Sequence, residues 1–338
     1  MAPESQRKRR MSNLKPMLEA VIGTDIGGTN IKVVLVEPRK GKVIDQLDLK
    51  TSAKSGADAI VTELGTTLAT MIHKAKDDGI HVGIVGVGCA GVIDLEKGSV
   101  LVSPNLPGWE EFPLQERLFQ ILQIPVRVYN DVDCIGYAEY RLAGGSELGD
   151  FLCVALGTGV GGSLIIGGRI WTEGSTSAGE VGHMTIQPDG ELCLCGNRGC
   201  LETFASASWL VRRAEKRLRQ GVSSALRDDL ARTGSLEAES IQQAAKKGDG
   251  LAQELFKLVG TNLAIAIATV IQLLGIRRVL IAGGLANGWD LFIGPLQEEL
   301  YRRLTLIPPS AVKVVRTKLG HNAGALGAAY LAIGPGEL

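Results

Sequence analysis

Aromatic side chains are scarce in this sequence. Phe, Trp and Tyr together make up 4% of 338 residues. No core can be built on large rings, so Val, Ile, Leu and Ala must fill it. Net charge is also absent, since 36 Lys and Arg balance 36 Asp and Glu. Without a basic excess there is no electrostatic case for nucleic acid or an anionic membrane as partner. No apolar stretch follows the basic run Arg7–Arg10, so a secretory signal is not expected and the cytoplasm is the expected compartment. Residues 1–16 read as a disordered basic tail. Leu258–Leu274 carries no charge, but it contains Thr261, Asn262, Thr269 and Gln272 and barely reaches spanning length. It reads as a buried core helix.

Two nucleotide-binding signatures are missing. There is no G-x-x-x-x-G-K-[ST] run, which excludes a P-loop NTPase. No G-x-G-x-x-G turn leads from the first strand into a helix, so a dinucleotide site of the Rossmann type is unsupported. What the chain has instead is glycine, 44 of 338 residues, gathered in short clusters between apolar runs. Such clusters let backbone approach a ligand closely.

At this length two domains are expected. Apolar runs and alternation predict strands at Ala20–Ile26, Ile31–Val36 and Lys42–Leu49. A helix follows at Ala57–Lys76, a strand at Val82–Val87, a helix at Pro113–Leu122, a strand at Val126–Tyr129 and a helix at Val132–Leu142. The order then restarts with strands Phe151–Leu156 and Ser163–Ile166. Helices near Ala207–Gln220, Leu236–Lys247 and Leu251–Leu274 follow. A strand at Arg278–Ala282, a helix at Asp290–Leu304 and a strand at Val312–Arg316 come next. An Ala-rich helix, Ala323–Ile333, is expected to cross back to the first domain. Gly23–Thr29 and Gly157–Ser163 agree or nearly agree at six of seven positions, which suggests two related α/β domains. Their expected extents are residues 17–132 with about 321–338, and residues 133–320.

Three glycine turns follow strands: Gly27-Gly28-Thr29, Gly157-Thr158-Gly159 and Gly283-Gly284. Backbone N–H groups in such turns converge on phosphate oxygens. Asn30 adjoins the first turn. Asp25 could hold Mg²⁺ through water or simply stabilise the turn. Lys32 could neutralise a transferring phosphate or be a solvated strand charge. Asn130-Asp131 closes a strand and opens a helix. Asp131 suits a helix N-cap, and equally a carboxylate accepting a proton in phosphoryl transfer. Asn130 could position the acceptor. Asn105, in Ser103–Trp109, is the polar contact offered by the loop before it.

Cys193, Cys195 and Cys200 stand as Cys-x-Cys-Gly-x-x-Gly-Cys, with His183 ten residues upstream. Three thiolates and an imidazole make a closed tetrahedral Zn²⁺ set, so the metal should be structural. Gly196 and Gly199 let the chain wrap the ion. Glu180 and Glu202 flank the set and would be fixed near one another, where carboxylates suit vicinal hydroxyls of a sugar. Cys89, Cys134 and Cys153 stand singly and read as buried and inert.

Together Asp25-x-Gly27-Gly28-Thr29, Asn130-Asp131, Glu180-x-Gly182-His183 and Cys193-x-Cys195-Gly196-x-x-Gly199-Cys200-x-Glu202 resemble the ROK family, which holds repressors, uncharacterised proteins and sugar kinases. The likeness runs from about Val21 to the C-terminus and is greatest to the family's bacterial glucose kinases. It implies two ribonuclease H-like domains of the actin and hexokinase superfamily, with a cleft between them for ATP and a sugar. It implies transfer of phosphate from ATP to glucose, with N-acetylglucosamine, N-acetylmannosamine or fructose as other acceptors. Polyphosphate as donor and a non-catalytic, sugar-responsive regulator are further readings. By the resemblance, Asp131 is the general base. Gly91, Asn105, Asn130, Asp131, Glu180, His183 and Glu202 lie at the sugar, and His183 serves zinc with one ring nitrogen and sugar with the other. Gly27–Thr29 and Gly157–Gly159 hold phosphates, and Gly283-Gly284 lies near adenosine. Where many members carry Pro-Gly after the fourth strand, this chain has Ala90-Gly91. About twenty residues precede Val21, fewer than the helix-turn-helix of the family's repressors needs. A homodimer or tetramer is a family-level expectation.

Overall fold

The computed structural model describes residues 18–51, 56–103, 106, 108–172 and 178–334. Its first three strands, β1 (Leu18–Ile26), β2 (Asn30–Glu37) and β3 (Lys42–Lys50), form an antiparallel meander. Helix α1 (Ala57–Asp77) leads to β4 (Ile80–Cys89), which lies parallel to β1. A small hairpin, β5 (Val92–Asp94) and β6 (Ser99–Val102), and helix α2 (Leu114–Leu122) then precede β7 (Val126–Asn130), parallel to β4. The sheet order is β3-β2-β1-β4-β7.

Helix α3 (Asp131–Leu142) carries the chain to a second sheet, with β8 (Phe151–Leu156), β9 (Val160–Ile166) and β10 (Arg169–Ile170) as its meander. Helices α4 (Glu202–Ala205), α5 (Ala207–Arg219), α6 (Leu226–Thr233), α7 (Ala238–Lys246) and α8 (Gly250–Leu274) come before β11 (Arg278–Ala282). Helix α9 (Trp289–Arg303) precedes β12 (Lys313–Arg316), and α10 (Ala323–Ile333) ends the described chain. The order β10-β9-β8-β11-β12 repeats the first sheet strand for strand, with the same parallel and antiparallel senses. This is the expected two-domain, ribonuclease H-like architecture.

The core follows from side-chain spacing. In α1, Ile60, Leu64, Leu68, Met71 and Ala75 recur at helical period and cover Ile22, Val33, Leu35 and Val85 on the outer face of the first sheet. β8 reads Phe-Leu-Cys-Val-Ala-Leu and is buried throughout, as a central strand covered on both faces should be. Helix α8 is long and apolar enough to cross a membrane. Its Leu255, Phe256, Val259, Leu263, Ile267 and Ile271 instead pack into the outer core of the second sheet.

The inner faces are covered differently. Helix α10 lies on the first sheet, with Ala325, Leu326, Ala329 and Tyr330 against Val21, Val34 and Val36. Helix α3 joins that cluster through Tyr137 and Ala138. Its other side, through Val132 and Ile135, meets Cys153, Ala155, Ile165 and Leu280 of the second sheet. Small residues permit this layering. A Cβ on Gly23 would stand 1.9 Å from the Ala325 carbonyl oxygen, and one on Gly86 1.9 Å from that of Ala328. A Cβ on Gly327 would stand 1.7 Å from the Cys134 oxygen.

Three differences from the sequence reading have physical causes. The β5–β6 hairpin was not expected, because its strands are three and four residues long. Its turn is set by Asp94, whose Oδ1 accepts from Glu96 N (3.0 Å) and Lys97 N (3.1 Å). Helix α6 buries only Leu226, too little for a periodic signal. The duplication is real, but the seven-residue likeness is not its structural register. Gly23–Ile26 lie within β1, whereas Gly157–Gly159 are the β8–β9 turn, equivalent by position to Gly27–Thr29.

The glycine contacts should be unforgiving. Gly327→Ala is expected to lower stability by about 1–3 kcal/mol, the usual cost of overpacking, because the obstacle is backbone. Chemical denaturation of the purified variant reads this, and an unchanged midpoint would show that α3 and α10 can separate freely.

Candidate active site

The carboxyl ends of β1, β4 and β7 lie side by side. Asp25 pairs across β1–β2 with Lys32, and on its other edge with Gly88 of β4. Cys89 of β4 pairs with Asn130 of β7. Asp25 and Asp131 therefore flank β4, roughly 10 Å of sheet apart at two strand spacings. Gly88 keeps the space between them shallow: a Cβ there would lie 3.1 Å from Cys134 Sγ and 3.6 Å from Asp131 Cα.

Asn130, not Asp131, caps α3. Its Oδ1 accepts from Val132 N (2.8 Å) and Asp133 N (3.1 Å), and its Nδ2 donates to the Gly91 oxygen (3.0 Å). Two needs of the fold thus occupy most of an amide expected at the sugar. Asp131 is left as the first helical residue, with the Val132 N–H donating to its Oδ1 (3.0 Å). Gly91 has φ of 125°, and a Cβ there would meet Val102 O at 2.4 Å. Only glycine fits, so Ala90-Gly91 preserves the bend. Asn105 lies outside the described residues.

Burial raises the acids of this cluster. Asp25 is pushed up to about 6 by desolvation, against the pull of Lys32. Asp131 is pushed up to about 7 by desolvation and then by the charge of Asp25. Asp133, a residue the sequence reading passed over, is also pushed up to about 7 by desolvation, with Glu180 adding to it. The Ser163 hydroxyl donates to Asp133 Oδ1 (2.6 Å) and opposes that rise. Glu180 is raised by burial and by Glu202, with His183 opposing. Each carboxylate thus feels the next, from Asp25 through Asp131, Asp133 and Glu180 to Glu202. The row runs from the first sheet to the second.

At the far end of that row His183, Cys193, Cys195 and Cys200 offer ligand atoms that all lie within 4.8 Å of one another. Cys195 Sγ is 3.7 Å from Cys200 Sγ, and Cys193 Sγ is 3.8 Å from His183 Nδ1. A zinc tetrahedron with Zn–S near 2.3 Å has edges of about 3.8 Å, so the donor set fits that ion in number, chemistry and spacing. His183 turns Nε2 the other way, 4.0 Å from Glu180 Oε2. Glycines permit the wrap, with φ of 89° at Gly196 and 66° at Gly199. The Glu180–His183 segment lies on β9, where a Cβ on Gly182 would fall 1.8 Å from Val160 O.

Glu202 joins this loop to the second glycine turn. Its Oε2 accepts from Val160 N (2.9 Å), the residue after Gly157-Thr158-Gly159, and its Oε1 lies 3.8 Å from Cys193 Sγ. The start of α5 holds the same turn from behind: Ala207 N donates to Gly157 O (2.9 Å) and Ser208 N to Thr158 O (3.4 Å). The first turn has its own brace, missed in the sequence: Thr51 Oγ1 donates to Gly27 O (2.7 Å) and Thr51 N to Thr29 O (2.9 Å). Asn30 opens β2 beside that turn. Lys32 donates its ammonium to His321 O (2.7 Å), so its charge is tied to the segment before α10 as well as to Asp25.

Beyond Thr158 opens a cleft of about 420 Å³, lined by Ala207, Ser208, Val211, Arg212, Glu237 and Ala238. No glycine marks it, which is why motif reading passed over it. Gly283 and Gly284 are not among its lining residues. Gly283, with φ of 86° and a missing Cβ 2.4 Å from Leu156 O, packs β11 onto β8. Gly284 is open to approach, with nothing within 4 Å of a Cβ.

Comparison with known proteins identifies the family. The chain is 32% identical to the glucokinase of Halalkalibacterium halodurans over 316 residues, 92% of this chain and 94% of that one. It is 30% identical to the N-acetylmannosamine kinase of Escherichia coli over 318 residues, 93% and 98% of the two chains. A crystal structure of a ROK family glucokinase from Streptomyces griseus, in complex with glucose and AMPPNP, superposes with a TM-score of 0.79 at 31% identity, covering 93% of this chain and 99% of that one. The family model for ROK matches residues 21–334, and this chain belongs to the ROK family.

Proposed function

We propose that the protein is an ATP-dependent sugar kinase that phosphorylates glucose on its 6-hydroxyl. The observation that carries this reading is the row of carboxylates from Asp25 to Glu202, which runs between two equivalent glycine turns. Phosphoryl transfer needs a proton acceptor beside an anion cradle, and in this reading Asp131 and the glycine turns would supply them. The relatives named glucokinase support glucose as acceptor, and the AMPPNP complex supports ATP as donor. N-acetylmannosamine is the alternative that a relative of similar identity supports.

In this reading the sugar sits against Glu180, His183 Nε2 and Glu202, with Asn105 and the Asn130–Gly91 corner completing its shell. The turns at Gly27–Thr29 and Gly157–Gly159 cradle the phosphates with backbone N–H groups, and the nucleoside extends past Thr158 into the cleft between α5 and α7. Gly284 gives it room. Asp25 and Lys32 belong to the phosphate side, where Asp25 would hold Mg²⁺ through water. The ion would supply charge neutralisation to the phosphates. Asp131 accepts the 6-hydroxyl proton as that oxygen bonds to the γ-phosphorus and the bond to ADP breaks. Its elevated affinity for protons suits a base working near neutrality. His183, Cys193, Cys195 and Cys200 would hold zinc, which would supply only order. The His183 ring would then be fixed, so that Nε2 and Glu180 face the sugar together.

Two experiments test this. In a coupled ADP-release assay with glucose, N-acetylglucosamine, N-acetylmannosamine and fructose, glucose should give the highest kcat/KM. Asp131→Asn should cost on the order of 10²–10⁴-fold in kcat. The acid limb of the wild-type profile should lie near pH 7, because Asp131 must ionise and burial delays it. A profile flat down to pH 5, or near-normal turnover by Asp131→Asn, removes the base assignment. Stability carries the opposite sign. The folded chain keeps protons that the unfolded chain releases between about pH 4 and pH 7, so stability falls as pH rises through that window. Asp131→Asn should therefore melt higher than wild type at pH 8.

Removal of zinc gives the second test. Chelation, followed by elemental analysis, should abolish ordered signal from residues 183–200 in hydrogen exchange. It should weaken glucose binding by calorimetry at least tenfold. Metal-free protein that binds glucose at full affinity overturns the structural role.

A further inference from the structure

The chain passes between the two sheets twice. One passage is α3, between β7 and β8. The other is Thr317–Asn322, between β12 and α10. Glu139 sits where the two meet. It lies on the third turn of α3 and is 1% exposed. Its Oε1 accepts from Lys318 N (2.9 Å), from Leu319 N (3.0 Å) and from the Thr317 hydroxyl. From the other direction Lys318 Nζ donates to Ala143 O (3.3 Å), just past the end of α3. Among the described residues no Lys, Arg or His forms an ion pair with Glu139. A buried carboxylate without a counter-ion persists only where hydrogen bonds compensate its lost hydration, and here its donors among the described residues come from the second passage.

Both passages lead directly to the acids of the cleft. α3 begins at Asp131, about 12 Å along the helix from Glu139 at 1.5 Å per residue. α10 begins at Ala323-Gly324, and a Cβ on Gly324 would stand 2.5 Å from Asp25 Oδ2. His321, just before α10, carries the Lys32 ammonium on its carbonyl. The two helices also meet directly where Gly327 lies on the Cys134 carbonyl. Nothing in the proposed reaction uses Glu139, and it touches neither turn.

We infer that Glu139 is a positioning residue: it clamps the two passages into one hinge, so that the halves of the cleft close along a fixed path. Without the clamp, the segment after β12 and α3 could shift separately, and with them Asp25 and Asp131. Misplacement by about 1 Å can cost on the order of 10²-fold in rate. The catalytic part of this inference rests on the kinase reading. The hinge itself does not.

The test compares wild type with Glu139→Ala, Glu139→Gln and Thr317→Val. Hydrogen exchange of the apo proteins comes first. In Glu139→Ala the amides of Lys318 and Leu319 should exchange faster, together with the first turn of α3, while β8 and β11 stay protected. Small-angle scattering should show smaller or more heterogeneous compaction on adding glucose with AMPPNP. Where the chain phosphorylates glucose, kcat should fall roughly 10–100-fold, with AMPPNP affinity in the absence of sugar within twofold of wild type. Glu139→Gln, which keeps an acceptor oxygen, should recover most of the loss. Thr317→Val removes one donor, should fold where Glu139→Ala does not, and should shift each readout less in the same direction. Unchanged exchange in the first turn of α3 together with normal compaction overturns the hinge. So does a loss of kcat matched by an equal loss of AMPPNP affinity, which marks general destabilisation. A chain that phosphorylates no hexose yet shows the coupled exchange loses the kinase reading and keeps the hinge.

Discussion

Backbone-to-backbone contact between α10, α3 and the first sheet is the constraint on which the rest depends. Gly23, Gly86 and Gly327 let carbonyl oxygens approach to distances that a methyl group would block. At these three points no side chain intervenes, and contact with backbone adds to the packing of Leu326, Tyr330 and Tyr137 around them. The result is a thin layer between two sheets, with α3 touching both inner faces. Because the layer is thin, the carboxyl ends of β1, β4 and β7 sit close to the second sheet's glycine turn. A bulkier seam would hold the acids and the turn too far apart for one cleft.

Within that frame the second domain carries a chain of dependence. His183 and the three cysteines gather a loop around one point, and Glu202 reaches from beside the loop to Val160 N at the second glycine turn. The start of α5 supports the same turn through Ala207 and Ser208. Order in the cysteine loop is thus transmitted in one hydrogen bond to the second glycine turn. Arg213 ties the arrangement down. Its guanidinium donates to Thr203 O, lies 4.6 Å over the Phe204 ring and pairs with Glu191. These contacts fix α4, and with it the direction of Glu202.

How far the sequence reveals this depends on whether a signal is local. The strands, the long helices and the return of α10 were legible because their apolar periods are long. The cysteine cluster was legible because three thiols and an imidazole at short spacing make a complete tetrahedral donor set by themselves. Asn130 shows the limit. The cap was expected of Asp131 and a sugar contact of Asn130, and only the geometry reveals that Asn130 Oδ1 and Nδ2 serve α3 and Gly91. Asp133 and the cleft beyond Thr158 were invisible for a related reason. Their meaning arises from residues far apart in sequence, such as Ser163 against Asp133. Glu139 reads as an ordinary mid-helix acid until Thr317–Leu319 is folded over it.

The carboxylates raise a last question of energetics. Five acids in one row, three of them pushed to about 6 or 7 by burial, oppose folding at neutral pH. Lys32 eases Asp25 and His183 eases Glu180, while hydrogen bonds from Ser163 and Val132 N ease Asp133 and Asp131; Lys32 also shares its charge with a carbonyl. Desolvation is the main cause, and it is relieved wherever water reaches the acids. In the proposed reaction, sugar hydroxyls would donate to these carboxylates, and a nucleotide's counter-ion would neutralise them. Either ligand would therefore replace the hydration that burial removes. On the kinase reading, closure would need no separate trigger. The unfavourable electrostatics of the buried acids would be the stored bias, and ligands of the right chemistry would release it along the path that the proposed hinge allows.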